Sequence, residues 1–148
     1  MTTIAWDGIN LASDTLSTSG NMKLSGECIK TRRVGKYRIA FAGDFAPASL
    51  FYEHHLHEAL ELGQLDFKPV QANDNDDFTI LVVQDNIESC WIFSSHSGYW
   101  DEFQPPISIG SGSKYAMGSM YSGCDAEKAV EVSCALDTHS GLPVHVEK

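Results

Sequence analysis

The order of the apolar segments restricts the fold of this 148-residue sequence more than any other feature does. Short stretches in which apolar residues alternate with small or polar ones come first, and this period of two is typical of β-strands. A helical pattern from about Pro47 to Leu62 follows. Three or four more strands, two helices and a short final strand complete the chain. This order predicts an α+β fold in which two antiparallel sheets stack and helices cover their outer faces.

The first hairpin is predicted around Asp7 and Gly8, which lie between two alternating segments. Asp-Gly is a strong signal for a two-residue hairpin loop. In that register Ser13 lies opposite Thr2, so that Asp14 comes to lie beside the start of the chain.

The second hairpin is predicted over residues 28–42, with a three-residue loop centred on Gly35. This register places Lys30 opposite Ala40. One face then carries Cys28, Lys30, Arg32, Arg38, Ala40 and Ala42. We interpret that face as the polar floor of a cleft; the alternative is a solvated, basic edge strand.

The second half of the sequence predicts a strand meander followed by two helices. The expected elements are strands at 78–84, 88–94, 99–103 and 107–110, helices at 113–122 and after Asp125, and a last strand at 144–146. Residues 64–77 are polar and acidic and are expected to form a loop.

Composition and charge narrow the range of partners. The net charge is -10, whereas nucleic acid and anionic membranes bind basic surfaces, so neither is expected as a partner. Hydrophobic residues at 43% and charged residues at 20% are values of a globular protein, and we expect one domain over residues 1–148. There is neither an apolar run of membrane-spanning length nor a signal-peptide pattern, so a cytoplasmic location is expected.

Neither the cysteines nor the histidines follow a metal-binding pattern. The four cysteines have no C-x-x-C spacing, and we expect them to be reduced and mostly buried. His57-Glu58 lacks the second histidine that the H-E-x-x-H motif requires. No metal ion and no other cofactor is therefore expected.

Thr2 is the candidate nucleophile at the head of the sequence. Methionine is normally removed when the next side chain is as small as that of threonine, and loss of Met1 would leave a hydroxyl and a free α-amine on one residue. An α-amine titrates near about 7.7 to 8.0, so it can accept the proton of the hydroxyl as that hydroxyl attacks a carbonyl. The alternative is that the first three residues are merely a common start of a chain.

Five motifs occur in the order in which one known family has them. They are Thr2-Thr3-Ile4, Leu11-Ala12-Ser13-Asp14-Thr15, Cys28-Ile29-Lys30-Thr31-Arg32-Arg33, Ile109-Gly110-Ser111-Gly112-Ser113-Lys114-Tyr115-Ala116 and Asp137-Thr138-His139-Ser140-Gly141. In these motifs the chain resembles the proteasome β-type and HslV-like threonine peptidases of the N-terminal-nucleophile hydrolase superfamily. The resemblance covers most of the chain and implies a four-layer αββα sandwich. The first hairpin is short and the loop at 64–77 replaces the family's second helix, so the chain resembles a short variant.

The resemblance also implies a threonine-type endopeptidase mechanism. Thr2 would attack the peptide carbonyl, Lys30 would lower the pKa of the Thr2 amine, and Asp14 would hold Lys30 charged and oriented. The other implied site residues are Ser111, Asp137 and Ser140 around the amine, and Ala40 and Gly112 as backbone donors to the oxyanion. For the substrate pocket we expect Ser17, Cys28, Arg38 and Ala42. Arg38 shares a predicted strand face with Ala40 and Ala42, and we expect it to form the pocket floor and to favour an acidic or polar residue before the scissile bond.

Family resemblance further implies partners. These are a polypeptide substrate, other copies of the chain in a homo-oligomeric ring that encloses the sites, and an ATP-driven unfoldase. Two other functions stay open at this point. The chain could be an inactive, ring-forming structural or regulatory homologue that keeps Met1, or an amidase that acts on small molecules with the same nucleophile.

Overall fold

The computed structural model describes residues 2–73 and 75–148. Two antiparallel sheets stack face to face, and helices cover the outer face of each sheet. The protein is therefore an α+β chain folded as a four-layer αββα sandwich, as the order of the elements predicted.

The two sheets divide the strands by their place in the sequence. The strands are β1 (Thr3–Trp6), β2 (Leu11–Ser13), β3 (Thr18–Ser19), β4 (Met22–Lys23), β5 (Thr31–Val34), β6 (Tyr37–Gly43), β7 (Phe78–Gln84), β8 (Cys90–Ser94), β9 (Trp100–Phe103), β10 (Ile107–Gly110) and β11 (His145–Glu147). The first sheet has the order β10-β1-β2-β11, and the second has the order β5-β6-β7-β8-β9. Strands β3 and β4 form a separate small hairpin.

The helices form the two outer layers. The elements are α1 (Phe45–Phe51), a π-helical turn (Tyr52–Leu56) and α2 (His57–Glu61) against the second sheet, and α3 (Ser113–Tyr121) and α4 (Ala126–Leu136) against the first. Pro47 lies in the first turn of α1, where its missing N–H has no helical partner to lose. Asp125 caps α4 by accepting a hydrogen bond from Lys128 N at 2.9 Å, as predicted. Among the described residues, no helix has the length and apolar character needed to cross a bilayer.

Strand β6 is buried on both faces and joins two layers of the core. Tyr37, Ile39 and Phe41 pack against the helices of the second sheet. Ala40 and Ala42 point the other way, into the layer between the two sheets. For Ala40 and Ala42, the interpretation of this face as the polar floor of a cleft is therefore wrong, because both residues belong to the core.

The loop of the first hairpin is longer than predicted. It spans Asp7 to Asn10, and Ile4, rather than Thr2, lies opposite Ser13. The Asp7 carboxylate accepts hydrogen bonds from Ile9 N at 2.9 Å and Asn10 N at 2.7 Å, which stabilises the wider turn. Because the register shifts by two residues, each side chain keeps its predicted face.

The register of the second hairpin is shifted by one residue from the prediction. Its loop contains Gly35 and Lys36, and Thr31 rather than Lys30 lies opposite Ala40. Gly35 has φ +59°, the left-handed conformation that a two-residue hairpin loop favours. Lys30 precedes the ladder, and its carbonyl accepts a hydrogen bond from Phe41 N at 2.9 Å.

The acidic segment 64–77 contains no helix or strand in its described part. Phe67 anchors it to the second sheet, where its ring stacks on Trp91 at 4.6 Å and meets the edge of Trp100 at 5.3 Å. The segment thus covers part of the outer face of the sheet, which agrees with the predicted loop.

Candidate active site

The candidate site lies at one end of the sandwich, where several strands begin or end. Thr2 directly precedes β1, Asp14 follows β2, and Lys30 precedes β5. Strand β6 ends at Gly43, and β10 ends at Gly110, which lies opposite Thr3. Because the strands are antiparallel, their starts and ends alternate along a sheet, and this brings residues that are distant in sequence to the same edge.

A cavity of about 180 Å³ opens at this end. Thr2, of which 4% is exposed, lies in its wall. The lining residues are Thr2, Leu16, Ser17, Thr18, Cys28, Lys30, Phe41, Gly43, Asp44 and Phe45. The candidate nucleophile therefore shares a cavity with a lysine and with mainly apolar and small side chains.

Lys30 and Asp14 form a buried ion pair beside Thr2. The distance from Lys30 Nζ to Asp14 Oδ1 is 2.8 Å, and the two side chains are 5% and 0% exposed. Burial of ions is costly unless they are paired and fully hydrogen-bonded. Asp14 meets this condition, because its two oxygens also accept the backbone N–H groups of Thr3 at 3.0 Å, Leu16 at 3.3 Å and Gly141 at 3.1 Å.

A second polar group contacts the Thr2 backbone. The Asp137 Oδ2 atom accepts hydrogen bonds from Ser140 Oγ at 2.6 Å and from Ser111 Oγ at 2.7 Å. Burial tends to raise the pKa of Asp137, but the bonds from Ser140 and Ser111 outweigh it and lower that pKa below its ordinary value. The Thr2 carbonyl oxygen lies 3.4 Å from both Ser111 Oγ and Gly112 N. The three predicted polar residues and Gly112 thus surround the head of the chain.

Thr3 belongs to the site, although sequence reasoning assigned it no role. It is fully buried, and its Oγ1 lies 2.7 Å from Ser140 Oγ. A Cβ added to Gly112 would overlap Thr3 Oγ1 and would lie 3.1 Å from Ser133 Cβ. Close approach of these two backbone segments therefore requires glycine at 112. The sequence signal was a second hydroxyl next to Thr2 in a strand, where neighbouring side chains point to opposite faces.

Two of the four residues predicted for the substrate pocket line the cavity, and two do not. Ser17 and Cys28 are in its wall. Ala42 is 5% exposed and packs between the sheets. Arg38 lies five residues before Gly43 in an extended strand, roughly 17 Å away along it, where its Nη1 donates to the Glu147 carbonyl oxygen at 3.3 Å. The predicted role of Arg38 as a pocket floor is wrong, because that face of β6 meets the first sheet.

The predicted backbone donor at Ala40 is also misplaced. Ala40 is fully buried between the sheets and does not line the cavity. Gly43, three residues later, does line it and has φ +92°. A Cβ at Gly43 would overlap the Asp77 carbonyl oxygen and lie 2.9 Å from Phe78 Cα. The signal for this position was the Gly43-Asp44 pair directly before the first helix.

Comparisons with solved structures identify the same architecture in other proteins. The chain is similar to Thiobacillus denitrificans BPH, alone and in complex with epoxomicin, with 22% identity and a TM-score of 0.68 over 98% of this chain and 95% of that one. It is also similar to eukaryotic HslV from Trypanosoma brucei, with 17% identity and a TM-score of 0.70 over 99% and 98% of the two chains. The chain shares their fold. No family model and no curated protein matches the sequence.

The HslV-like fold confirms the resemblance that the five motifs carried, at the level of architecture. At these identities the likeness concerns the fold and not the activity. Met1, whose removal was predicted, lies outside the described residues. Its processing and the chemistry of Thr2 are therefore matters for a proposal.

Proposed function

We propose that the chain is a threonine-type endopeptidase in which removal of Met1 makes Thr2 the N-terminal nucleophile. The observation that carries this proposal is the placement of Thr2 in the wall of a cavity together with Lys30, which a buried Asp14 pairs at 2.8 Å. A hydroxyl, a fixed cation and space for a substrate occur at one point. The HslV-like fold supports the same function.

The freed α-amine of Thr2 serves as the general base. It takes the proton of Thr2 Oγ as that oxygen attacks the peptide carbonyl. The Lys30 ammonium lines the same cavity, and a nearby positive charge lowers the pKa of an amine, so a larger fraction of the amine is unprotonated and basic. Asp14 keeps Lys30 in place through the buried ion pair.

Gly43 replaces Ala40 as the proposed backbone donor to the oxyanion. Its position in the cavity wall and its positive φ support this assignment. Removal of one such donor costs about 10² to 10³ in kcat in other hydrolases. The N–H of Gly112 faces the Thr2 carbonyl oxygen at 3.4 Å, so it orients the nucleophile rather than the substrate.

Acylation and deacylation both take place at Thr2. Collapse of the tetrahedral intermediate forms an ester between Thr2 Oγ and the acyl group, and the departing amine takes the proton from the Thr2 ammonium. A water molecule then attacks the ester, with the same amine as base. The acid product leaves, and Thr2 regains its hydroxyl.

We further propose that copies of the chain assemble into a homo-oligomeric ring that encloses the sites, with polypeptide as substrate and an ATP-driven unfoldase as partner in the cytoplasm. Large apolar side chains on the helical layers support assembly, since Tyr121 is 75% exposed, Leu50 61% and Leu136 57%. Light scattering on the purified protein tests the ring; a monomer at micromolar concentration would contradict it.

Intact-mass measurement and peptide hydrolysis test the catalytic proposal together. The mature protein should lack Met1 and should cleave unfolded casein. Thr2→Ser keeps a hydroxyl and should retain activity, whereas Thr2→Ala should lose it by roughly a thousandfold or more. Both substitutions keep a small residue after Met1, so its removal is not affected. Retained Met1 without cleavage would indicate an inactive homologue, and cleavage of small amides alone would indicate an amidase.

A further inference from the structure

The hydroxyl of Thr3 is buried and bonded to a polar residue of the candidate site. Thr3 has no exposed surface, and its Oγ1 lies 2.7 Å from Ser140 Oγ. In such a contact either oxygen can be the donor. The direction of this bond decides what Ser140 can still do for the Thr2 amine.

The direction follows from the count of protons around Asp137. The carboxylate of Asp137 is ionised at neutral pH and can only accept. Ser140 has one hydroxyl proton, and its 2.6 Å contact with Asp137 Oδ2 uses that proton. Bonds to an ionised acceptor are stronger than bonds between neutral groups. Ser140 therefore accepts at its own oxygen, and Thr3 is the donor in the bond between them.

Ser111 is committed in the same way. Its oxygen lies 2.7 Å from Asp137 Oδ2 but 3.4 Å from the Thr2 carbonyl oxygen, so its one proton goes to the carboxylate. Ser111 and Ser140 can then only accept from the Thr2 amine and cannot donate to it. An amine whose two N–H groups point at two acceptors keeps its lone pair free for the proton of Thr2 Oγ.

We propose that Thr3 is a positioning residue whose hydroxyl occupies one lone pair of Ser140 and thereby fixes the direction from which Ser140 accepts an N–H of the Thr2 amine. A serine oxygen has two acceptor lone pairs, so one remains for the amine. A hydroxyl that accepts a bond also donates more strongly, which tightens the contact of Ser140 with Asp137. This inference rests on the proposed function of Thr2.

The backbone of Thr3 explains why this hydroxyl is fixed in place. Its N–H donates to Asp14 Oδ1 at 3.0 Å, the same oxygen that pairs with Lys30 Nζ. Its side chain lies against Gly112 so closely that a Cβ there would overlap it. Thr3 thus links the ion pair on one side of the site to the serine and aspartate group on the other.

Steady-state kinetics on paired variants test this role. Thr3→Val keeps the branched shape and loses the hydroxyl, whereas Thr3→Ser keeps the hydroxyl and loses a buried methyl group. We expect Thr3→Val to lower kcat roughly fivefold to tenfold, the effect of one lost hydrogen bond, with KM unchanged because Thr3 does not reach the cavity. Thr3→Ser should keep kcat but melt about 2–4 °C lower. Thr31→Val is the matched control. The buried Thr31 hydroxyl donates to Glu147 Oε1 at 3.1 Å, away from Ser140, so the kcat of this variant should not change.

The outcomes separate this inference from the proposed function. Equal kcat in Thr3→Val and the parent overturns the positioning role while peptide cleavage by Thr2 stands, and so does an equal loss in Thr3→Val and Thr3→Ser. A parent protein that cleaves nothing, or a Thr2→Ala variant as active as the parent, overturns the proposed function instead. If Thr3→Val does not fold, Thr3→Ala replaces it. The comparison is then between Thr3→Ala, which lacks the hydroxyl, and Thr3→Ser, which keeps it. In a Ser140→Ala background, loss of the Thr3 hydroxyl should have no further effect on kcat, and a further tenfold loss there contradicts action through Ser140.

Discussion

Replacement of Asp14 by asparagine tests how much the buried ion pair stabilises the fold. The Asp14 oxygens accept from Lys30 Nζ and from the N–H groups of Thr3, Leu16 and Gly141, at 2.8 to 3.3 Å. Asparagine keeps one acceptor oxygen and turns the other position into a donor that faces N–H groups. Lys30 then loses its counter-charge in a site where it is 5% exposed.

The expected loss of stability is large. Removal of one partner of a buried ion pair costs about 3–5 kcal/mol, out of a total of about 5–15 kcal/mol for a folded protein. For a chain of this length each kcal/mol lowers the melting temperature by about 2–4 °C. Asp14→Asn should therefore melt about 6–20 °C below the parent.

Asp66→Asn is the matched control, because it breaks an ion pair of similar length at the surface. Lys68 Nζ lies 3.0 Å from Asp66 Oδ2, and the two side chains are 79% and 60% exposed. Exposed pairs contribute about 0–1 kcal/mol, so this variant should melt at most about 4 °C lower. Calorimetry at pH 7, with urea unfolding as a second measure, compares the two. Equal losses in both variants would refute the argument that burial makes the Asp14 pair structurally essential.

Three further predictions follow from single positions. Gly43→Ala should lower the free energy of unfolding by about 1–3 kcal/mol, because Gly43 has φ +92° and the new Cβ would overlap the Asp77 carbonyl oxygen. Urea unfolding measures this loss, and parent-like stability would contradict that conformation. The lowered pKa of Asp137 means that its stabilising effect is present above the unfolded-state pKa and is lost as the pH falls through the folded-state pKa. In the parent the free energy of unfolding should therefore fall as the pH drops below about 4, and in Asp137→Asn it should fall less steeply. Urea unfolding between about pH 2 and pH 6 measures this, and the same pH dependence in both proteins would contradict it. Burial raises the pKa of the Cys90 thiol to about 12, so iodoacetamide at pH 8 should leave Cys90 unmodified in the native protein and alkylate it in guanidinium, as peptide mass spectrometry shows; equal rates in both states would contradict this.

The elements of the fold could be predicted from the sequence where a local pattern determines them. The apolar segment 78–84 predicted β7 with its observed bounds, Phe78–Gln84, and Asp125 caps α4 as expected. The registers of the two hairpins could not be predicted, because each depends on a loop choice that the sequence leaves open. Asp7 stabilises a four-residue loop through its own carboxylate, and Gly35 permits a two-residue loop where three residues were expected.

The candidate site also contains residues that could be predicted from the sequence and residues that could not. Thr2, Asp14 and Lys30 lie together because each flanks a strand at the same end of the sandwich, and the resemblance of their motifs to a known family implied this proximity. The burial of Arg38, Ala40 and Ala42 could not be predicted, because it depends on which side of β6 meets the other sheet. That face carries the charged Arg38 beside the small Ala40 and Ala42, so the local pattern could not show that it is buried against the other sheet. Thr3 was missed because its hydroxyl gains a partner only when Ser140 arrives from the far end of the chain.

The most direct test of the central claim is the location of a covalent adduct formed by an epoxyketone inhibitor. Thr2 and Cys28 both line the cavity, so two nucleophiles compete for an electrophile bound there. Peptide mapping by mass spectrometry should find the adduct on Thr2 in an N-terminal peptide that lacks Met1, and Thr2→Ala should form none. An adduct on Cys28, or an unmodified N-terminal peptide that still carries Met1, would contradict the account.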